Sequence, residues 1–209
     1  MTFKNREQAA DLLAKKLEIY RGKNPLILAI PRGALPMGKI LAEELQGELD
    51  VVLVHKLGAP DNPELAVGAI DETGHVYLNP YAKQLGISES YLKEEKKEQQ
   101  EMLQRRRKAY TPHRSPFNPK KRIVILVDDG IATGSTMIAA IETIRMKKPS
   151  EIIVATAVAP PDTVDRLREF ADEVVCLETP IHFQAVGQFF EDFSQVSDEE
   201  AIEILQEKG

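Results

Sequence analysis

The stretch of this sequence that is best suited to chemistry is RIVILVDDGIATGSTMIAAI, residues 122–141. An apolar run ends at Val127, two aspartates follow, and a loop rich in glycine and hydroxyl side chains leads into a helical pattern. The glycines predict a nest of backbone N–H groups, and the helix that starts near Ser135 adds the positive end of its dipole. The glycines and hydroxyl residues of the loop are Gly130, Thr133, Gly134, Ser135 and Thr136. Together they predict a site for a phosphate monoester.

Asp128 and Asp129 restrict the kind of phosphate that this loop could bind. A carboxylate beside a phosphate repels it, unless the carboxylate faces the hydroxyl groups of a sugar or a hydrated metal ion. A ribose phosphate with free 2′ and 3′ hydroxyls satisfies the whole loop, because the acids accept from the hydroxyls or orient the waters of Mg²⁺. The alternative is a strand-to-helix turn whose acids only cap the helix. The loop has neither the G-x-x-x-x-G-K-[ST] pattern nor the G-x-G-x-x-G pattern of other phosphate sites.

Two more strand ends carry residues that suit a diphosphate. The first predicted strand continues into AIPRGALPMG, where a glycine beside Arg32 can present backbone N–H groups and a guanidinium to an anion. The second continues into VLVHKLGAPDNPE, where Lys56 directly follows the predicted strand. A plain strand-to-helix turn and a surface lysine are the simpler alternatives. We interpret His55 as structural, because strand alternation directs it to the side opposite Lys56.

Five short runs of nearly continuous apolar residues predict the elements that position these loops. Such runs are typical of parallel strands that are covered on both faces, and helical patterns separate most of them. This alternation predicts an α/β fold with a doubly wound, mainly parallel sheet. The predicted strands are Leu26–Ile30, Val51–Val54, Ile123–Val127, Ile152–Val158 and Val174–Leu177, and the predicted helices between them are Leu35–Leu45, Met137–Arg145 and Thr163–Phe170.

Two regions interrupt the alternation and predict additions to one domain that spans residues 1–209. Residues 57–121 form an insertion with a hairpin pattern around residues 72–74 and a charged helix over residues 91–110. Residues 180–209 form a tail with four phenylalanines and a last helix capped by Ser197 or Asp198. Glu64, Asp71 and Glu72 are candidate acids or bases in the insertion, although solvated loop carboxylates are the simpler interpretation.

Composition narrows the class of protein. The net charge of −6 argues against a nucleic-acid partner, and no apolar run is long enough to predict a membrane span. The N-terminal segment predicts an amphipathic helix without the apolar core of a signal peptide. The single cysteine, Cys176, lies in an apolar run and predicts a buried free thiol. We therefore expect a cytoplasmic protein.

The string VILVDDGIATGST resembles the phosphoribosyl pyrophosphate (PRPP) signature of type I phosphoribosyltransferases along its full length. The resemblance implies that the two acids bind the ribose hydroxyls and that residues 131–136 bind the 5′-phosphate. The implied PRPP-binding residues are Asp128, Asp129, Gly130, Ile131, Ala132, Thr133, Gly134, Ser135 and Thr136. The chain departs from the hypoxanthine-guanine enzymes at Ala132, where those enzymes carry an aspartate that is a candidate base, although adenine enzymes also have alanine there. This departure puts the hypoxanthine-guanine class in doubt.

The resemblance extends to the other loops, where it implies that Arg32, Gly33, Ala34 and Lys56 bind pyrophosphate, with a backbone that sometimes contains a cis peptide. The insertion would then be a mobile lid, and the tail would be a hood over the acceptor. Asp128, Asp129, Arg32 and Lys56 would be the catalytic residues, with Mg²⁺ held largely by substrate and water and in part by Asp128 or Asp129. Aromatic candidates for the acceptor wall are Phe183, Phe189, Phe190 and Phe193.

The expected activity is magnesium-dependent transfer of a 5-phosphoribosyl group from PRPP to a nitrogen acceptor, expected to be a nucleobase, with release of pyrophosphate. The partners would be these small molecules, and a homodimer is the default assembly in such families. The first alternative is a non-catalytic regulatory protein that binds PRPP or a nucleotide. The second is a ribose-phosphate-binding subunit of a larger assembly that docks through its charged helix.

Overall fold

The computed structural model describes residues 2–60, 62–78 and 87–206, without the side chains of residues 62–66. Two short 3-10 helices, Glu18–Tyr20 and Val186–Phe189, accompany the main elements. The main elements in chain order are α1 (Arg6–Lys16), β1 (Leu26–Ala29), α2 (Leu35–Leu45), β2 (Glu48–Val51), β3 (Val54–Ala59), β4 (Asn62–Asp71), β5 (Val76–Leu78), α3 (Glu89–Tyr110), β6 (Ile123–Asp128), α4 (Ser135–Met146), β7 (Glu151–Val158), α5 (Pro161–Arg168), β8 (Glu173–Glu178) and α6 (Asp198–Gln206).

Five of these strands form a parallel sheet in the order β2-β1-β6-β7-β8. Their apolar residues alternate between two cores, one on each face of the sheet. Ile27 and Ile125 belong to the core that includes α1 and α2, whereas Leu26 and Val124 belong to the core that includes α4 and α5. Helices therefore cover both faces, and the predicted doubly wound α/β fold is confirmed. The arrangement places the carboxyl ends of β1 and β6 side by side, with Ala29 paired to Val127.

The second main-sheet strand differs from its predicted position. It runs over Glu48–Val51 instead of Val51–Val54, and its Asp50 is almost fully buried. The apolar pattern did not predict this strand, because Asp50 interrupts the apolar run. A carboxylate is tolerated inside a buried strand only where another residue pairs with it. That residue is Arg107, whose Nη1 donates to Asp50 Oδ1 at 2.7 Å. The predicted strand therefore began where the real one ends.

The insertion forms a small antiparallel sheet in the order β3-β4-β5, and this sheet contacts α3 and α4. The predicted hairpin is confirmed: β4 and β5 pair, and Gly74 lies in the turn with φ of +81°. Arg107 anchors α3 by donating to both carboxylate oxygens of Glu72 at 2.6 Å. Asp71 accepts from Thr73 and lies 3.1 Å from the ammonium of Lys147. Asp71 and Glu72 are thus buried ion-pair residues and not solvated carboxylates, and the side chain of Glu64 lies outside the described part.

The two ends of the described chain pack together beside the sheet. Phe3 forms a β-bridge with Phe190, and the backbone N–H of Phe3 donates to the carbonyl of Phe189 at 2.8 Å. The last helix, α6, is capped by Ser197, whose hydroxyl accepts from the N–H of Glu200 at 3.0 Å. The N-terminal segment therefore holds the tail next to the carboxyl ends of the strands. No helix in the described ranges is both long and apolar enough to span a membrane.

Candidate active site

The loop between β6 and α4 is fixed on its inner side and open on its outer side. The N–H of Ile131 donates to the carbonyl of Val158 at 2.9 Å, and the hydroxyl of Thr163 donates to the carbonyl of Ala132 at 2.6 Å. Ile131 itself is buried in the core. Thr133 and Thr136 are exposed, and the first N–H groups of α4 have no partner within the helix. This geometry suits an anion.

Two different physical requirements explain the two glycines of this loop. Gly134 has φ of +77° and precedes α4, which is the conformation that the nest interpretation predicts. Gly130 is not among the described residues with positive φ. A Cβ at Gly130 would instead collide with Val186 of the short 3-10 helix and approach Val158 at 3.0 Å. Close packing against the tail, and not a left-handed backbone, therefore requires glycine at position 130.

The two acids at the end of β6 are in different surroundings. Asp129 is buried and forms an ion pair with Arg6, whose Nη2 lies 2.8 Å from Asp129 Oδ2. Asp128 is partly buried, and its Oδ1 accepts from the N–H of Asp129 at 3.0 Å. Burial and the neighbouring Asp129 carboxylate raise the pKa of Asp128 well above its usual range. Asp128 would therefore gain most from a donor or a cation that stabilises its charged form.

The loop after β1 lies directly against this acid pair. The Pro31–Arg32 peptide bond is cis, and the N–H of Leu35 donates to the carbonyl of Arg32 at 3.1 Å. A Cβ on Gly33 would collide with Asp129 Oδ2, so the loop after β1 packs directly against the side chain of Asp129. Ala34 is fully buried, backbone included, so its predicted contact with pyrophosphate would require the loop to open and stays a prediction.

Arg32 reaches toward the tail. Its Nη1 lies 3.4 Å from Oδ1 of Asp198, the first residue of α6, and the hydroxyl of Tyr110 donates to the same oxygen at 3.4 Å. The Arg32–Asp198 pair is partly exposed, so it contributes little to stability and can exchange for another anion. Three elements, the loop after β1, α3 and α6, therefore meet at Asp198.

Lys56 is placed differently from the prediction. It lies inside β3, with its Cα opposite Ala69 of β4, and so belongs to the small sheet instead of following a main-sheet strand. The difference arises because the chain leaves the main sheet at Val51 and begins a new strand at Val54. The neighbouring His55 is half-buried, and burial lowers its pKa, with Arg106 and Lys56 contributing. The pyrophosphate-binding role of Lys56 stays a prediction.

The aromatic residues of the tail divide into two groups. Phe183 and Phe189 are partly exposed and stack with ring centroids 5.6 Å apart. Phe190 is buried against Phe3, with centroids 5.4 Å apart, and also packs on Phe193. Phe190 is therefore part of the core instead of the predicted acceptor wall, because the β-bridge to Phe3 turns it inward.

Arg6 was not predicted from the sequence, although its position in α1 indicates an anionic partner. Arg6 is the first residue of α1, where the helix dipole disfavours a positive charge. A cation at that position suggests a nearby anion outside the helix. In the structure that anion is Asp129, which lies 123 positions later in the chain.

The described residues fit Mg²⁺ only as part of a site that substrate completes. No cluster of three or more His, Cys, Asp and Glu side chains that could hold a metal occurs among them. Asp128, with its raised pKa, is the carboxylate that a neighbouring cation would stabilise, whereas Asp129 already pairs with Arg6. Magnesium commonly binds through one or two carboxylates together with phosphate oxygens and water, and this site suits that arrangement.

A protein-family model described as the phosphoribosyl transferase domain matches residues 3–75 and 60–193. The chain belongs to the phosphoribosyl transferase domain family. The parallel sheet with helices on both faces is the fold that the resemblance to type I phosphoribosyltransferases implied. Both the loop after β1 and the loop after β6 lie inside the matched residues.

Two curated relatives agree with this membership, and one solved structure has nearly the same fold. Two proteins from strains CDC 1551 and H37Rv of Mycobacterium tuberculosis, provisionally described as phosphoribosyl transferases, are each 39% identical over 204 residues. The match covers 97% of this chain but 46% of those proteins, so the chain spans about half the length of these relatives. The crystal structure of TT1426 from Thermus thermophilus has a TM-score of 0.93 and 43% identity, and the match covers 98% of both chains.

Proposed function

We propose that this chain transfers a 5-phosphoribosyl group from PRPP to a nitrogen acceptor and releases pyrophosphate, with Mg²⁺ as cofactor. The observation that carries the proposal is the contact between Gly33 and Asp129. It joins a loop suited to a diphosphate and a loop suited to a ribose phosphate at the carboxyl ends of adjacent parallel strands. Ligands of doubly wound sheets bind at that edge.

The loop after β6 would hold the ribose 5-phosphate. Its backbone and hydroxyls from Gly130 to Thr136 would bind the phosphate, supported by the dipole of α4. Asp128 and Asp129 would accept hydrogen bonds from the ribose hydroxyls. As the bond from C1 to the pyrophosphate oxygen breaks, positive charge develops on the ring, and the two carboxylates would stabilise it. Anchoring both ends of the sugar converts binding energy into orientation of C1.

The loop after β1 would bind the departing diphosphate. Backbone groups at Gly33 and Ala34 and the guanidinium of Arg32 would face it, and Arg32 would exchange Asp198 for a phosphate oxygen. Lys56 would join them if the small sheet closes over the substrate, as the lid assignment for residues 57–121 predicts. When bound, Mg²⁺ would neutralise part of the charge on the diphosphate. Closure would also exclude water from the cationic sugar.

The acceptor would be a nucleobase, bound near the partly exposed Phe183–Phe189 pair. A flat aromatic ring gains from stacking on such side chains. A ring nitrogen of the base would bond to C1 and lose its proton. Ala132 carries no carboxylate that could accept this proton, so we propose that the base arrives ionised or passes its proton to a residue of the lid or the tail.

The test uses the purified protein with Mg²⁺, labelled PRPP and a panel of nucleobases. The proposal predicts acceptor-dependent release of pyrophosphate with one base or a few bases. The variant Asp128→Asn should lower the rate by tenfold or more, because a charged hydrogen bond contributes about 1.5–3 kcal/mol. Tight PRPP binding without release of pyrophosphate for any base would instead support the regulatory alternative. Absence of PRPP binding would contradict both.

Three further assignments stay proposals. These are a single domain over residues 1–209, a homodimer, and a cytoplasmic location, for which the free thiol of Cys176 is the supporting observation. Analytical ultracentrifugation would test the homodimer directly.

A further inference from the structure

Arg6 is the residue outside the predicted loops that is tied most closely to the candidate site. Its side chain is 11% exposed, and its Nε and Nη2 lie 2.9 and 2.8 Å from Oδ2 of Asp129. Asp129 is similarly enclosed, with a side chain that is 12% exposed. The pair is therefore shielded from solvent, where ionic hydrogen bonds hold their partners more firmly than on a surface.

The same guanidinium also binds the C-terminal tail. Its Nη1 donates to the carbonyl of Ser194 at 2.7 Å, and its Cζ lies 4.0 Å from the centroid of the Phe193 ring. Backbone bonds between the terminal segments keep this part of the tail in place, because Glu191 donates to the carbonyl of Phe3 at 2.8 Å. One side chain thus connects α1, the tail and the second acid of the ribose-phosphate loop.

The contacts of Asp129 divide its two oxygens. Both Arg6 nitrogens use Oδ2, and Gly33 packs against the same oxygen. Neither contact uses Oδ1, and the carboxylate of Asp128 is a further neighbour of this side chain. Arg6 also offsets one of two adjacent negative charges that would otherwise repel each other and a bound phosphate.

We propose that Arg6 is a positioning residue, which holds Asp129 with Oδ1 available to a ribose hydroxyl and couples that orientation to the tail. The inference rests on the proposed binding of a ribose phosphate at this loop. Arg6 itself touches no reacting atom. Its effect should therefore appear in recognition of the ribose hydroxyls and not in binding of the phosphate.

The test compares two ligands, ribose 5-phosphate and 2,3-dideoxyribose 5-phosphate, by isothermal titration calorimetry. The dissociation constant of the dideoxy ligand divided by that of ribose 5-phosphate is the ratio that measures how strongly the protein recognises the hydroxyls. Arg6→Met removes the charge and the donors, whereas Arg6→Lys keeps the charge and one donor group. Arg21→Met is the matched control, because Arg21 is also an arginine with carboxylate partners, Glu18 and Glu44, but lies on the exposed surface.

We expect Arg6→Met to reduce the ratio by about tenfold, Arg6→Lys to retain part of it, and Arg21→Met to leave it unchanged. In an Asp129→Asn background, Arg6→Met should have little further effect on the ratio, because Arg6 acts through Asp129. If Arg6→Met misfolds, Arg6→Lys replaces it in the test. The ratio for Arg6→Lys is then compared in the wild-type background and in the Asp129→Asn background.

Two results would overturn the inference while leaving the proposed function intact. One is an unchanged ratio with both ligands weakened equally, which would show a general structural role. The other is tighter binding of ribose 5-phosphate by Arg6→Met, which would show that Arg6 competes with the sugar for Asp129. Failure of the wild-type protein to bind ribose 5-phosphate or PRPP would overturn the inference together with the proposed function.

Discussion

The contact between Gly33 and Asp129 leads to a sharp test of the site. In Gly33→Ala the new methyl group would collide with Asp129 Oδ2, and it would lie 3.2 Å from Asp129 Cγ and 3.4 Å from Arg6 Nη2. All three atoms belong to one shielded ion pair, so none can move without disturbing the other two. Overpacking of this kind costs about 1–3 kcal/mol. We expect the free energy of unfolding to fall by that amount.

Gly33→Ala should also weaken the binding of PRPP. The methyl group would displace the carboxylate that is proposed to hold the ribose, so the affinity for PRPP should fall by tenfold or more. Urea denaturation would measure the stability, and isothermal titration calorimetry with Mg²⁺ and PRPP would measure the affinity. In an Asp129→Ala background, Gly33→Ala should cost less stability than it costs in the wild-type protein, because the shorter side chain makes room, but it should not recover binding.

Gly38→Ala is the matched control for crowding. Its methyl group would lie 2.8 Å from Cδ1 of Leu49 and 3.2 Å from Cβ of Ala29, so it would crowd side chains of β1 and β2 instead of the Asp129–Arg6 pair. Its packing cost should be partly offset by the better helix propensity of alanine, about 1 kcal/mol. PRPP affinity should stay at the wild-type value. A Gly33→Ala protein with wild-type stability and wild-type affinity would refute the argument that the two loops share one tightly packed site.

Three more predictions follow from the ion pairs and from His55. Arg107→Met should lower the free energy of unfolding by about 3–5 kcal/mol in urea titrations, because the buried carboxylate of Glu72 loses its arginine partner and that of Asp50 keeps only Arg114. The exposed Arg105→Met should change the free energy of unfolding by less than about 0.5 kcal/mol. Asp198→Asn should release Arg32 and tighten pyrophosphate binding up to about fivefold in calorimetry, and unchanged or weaker binding would contradict this. Burial lowers the pKa of His55 in the folded protein, so the unfolded state takes up its proton first as the pH falls below about 6.5, and stability is lost there. His55→Gln should flatten the stability curve between pH 7.5 and 5.5, and an unchanged slope would show that other groups cause it.

The sequence predicted most of the parallel sheet and the candidate phosphate loop, because the patterns that indicate them lie in short continuous segments of the chain. An apolar run such as Ile123–Val127 is long enough to specify a buried strand, and a glycine at position 134 permits the turn into α4. The hairpin around Gly74 was predicted for the same reason. Local patterns determine local backbone conformation.

Polar residues inside elements were harder to predict, because their stability depends on partners elsewhere. The second strand was not predicted at its true position, because it contains Asp50. The partner of Asp50 is Arg107, which lies 57 positions later in the chain. Lys56 was expected at a strand end in the main sheet and instead lies within the small sheet. A buried carboxylate and a surface carboxylate look alike in a sequence, and only packing distinguishes them.

The sequence by itself determined the strand that ends in two acids and the glycine- and hydroxyl-rich loop that follows it, for which we propose a ribose phosphate. Only the tertiary structure decided what surrounds that loop: Gly33 pressed against Asp129, Arg6 holding the same carboxylate, and Phe190 turned inward by Phe3. The physical reason is the range of the interactions. The hydrogen bonds of helices and turns join near neighbours in the chain, whereas ion pairs, side-chain packing and the pairing of strands join residues that only the folded chain brings together.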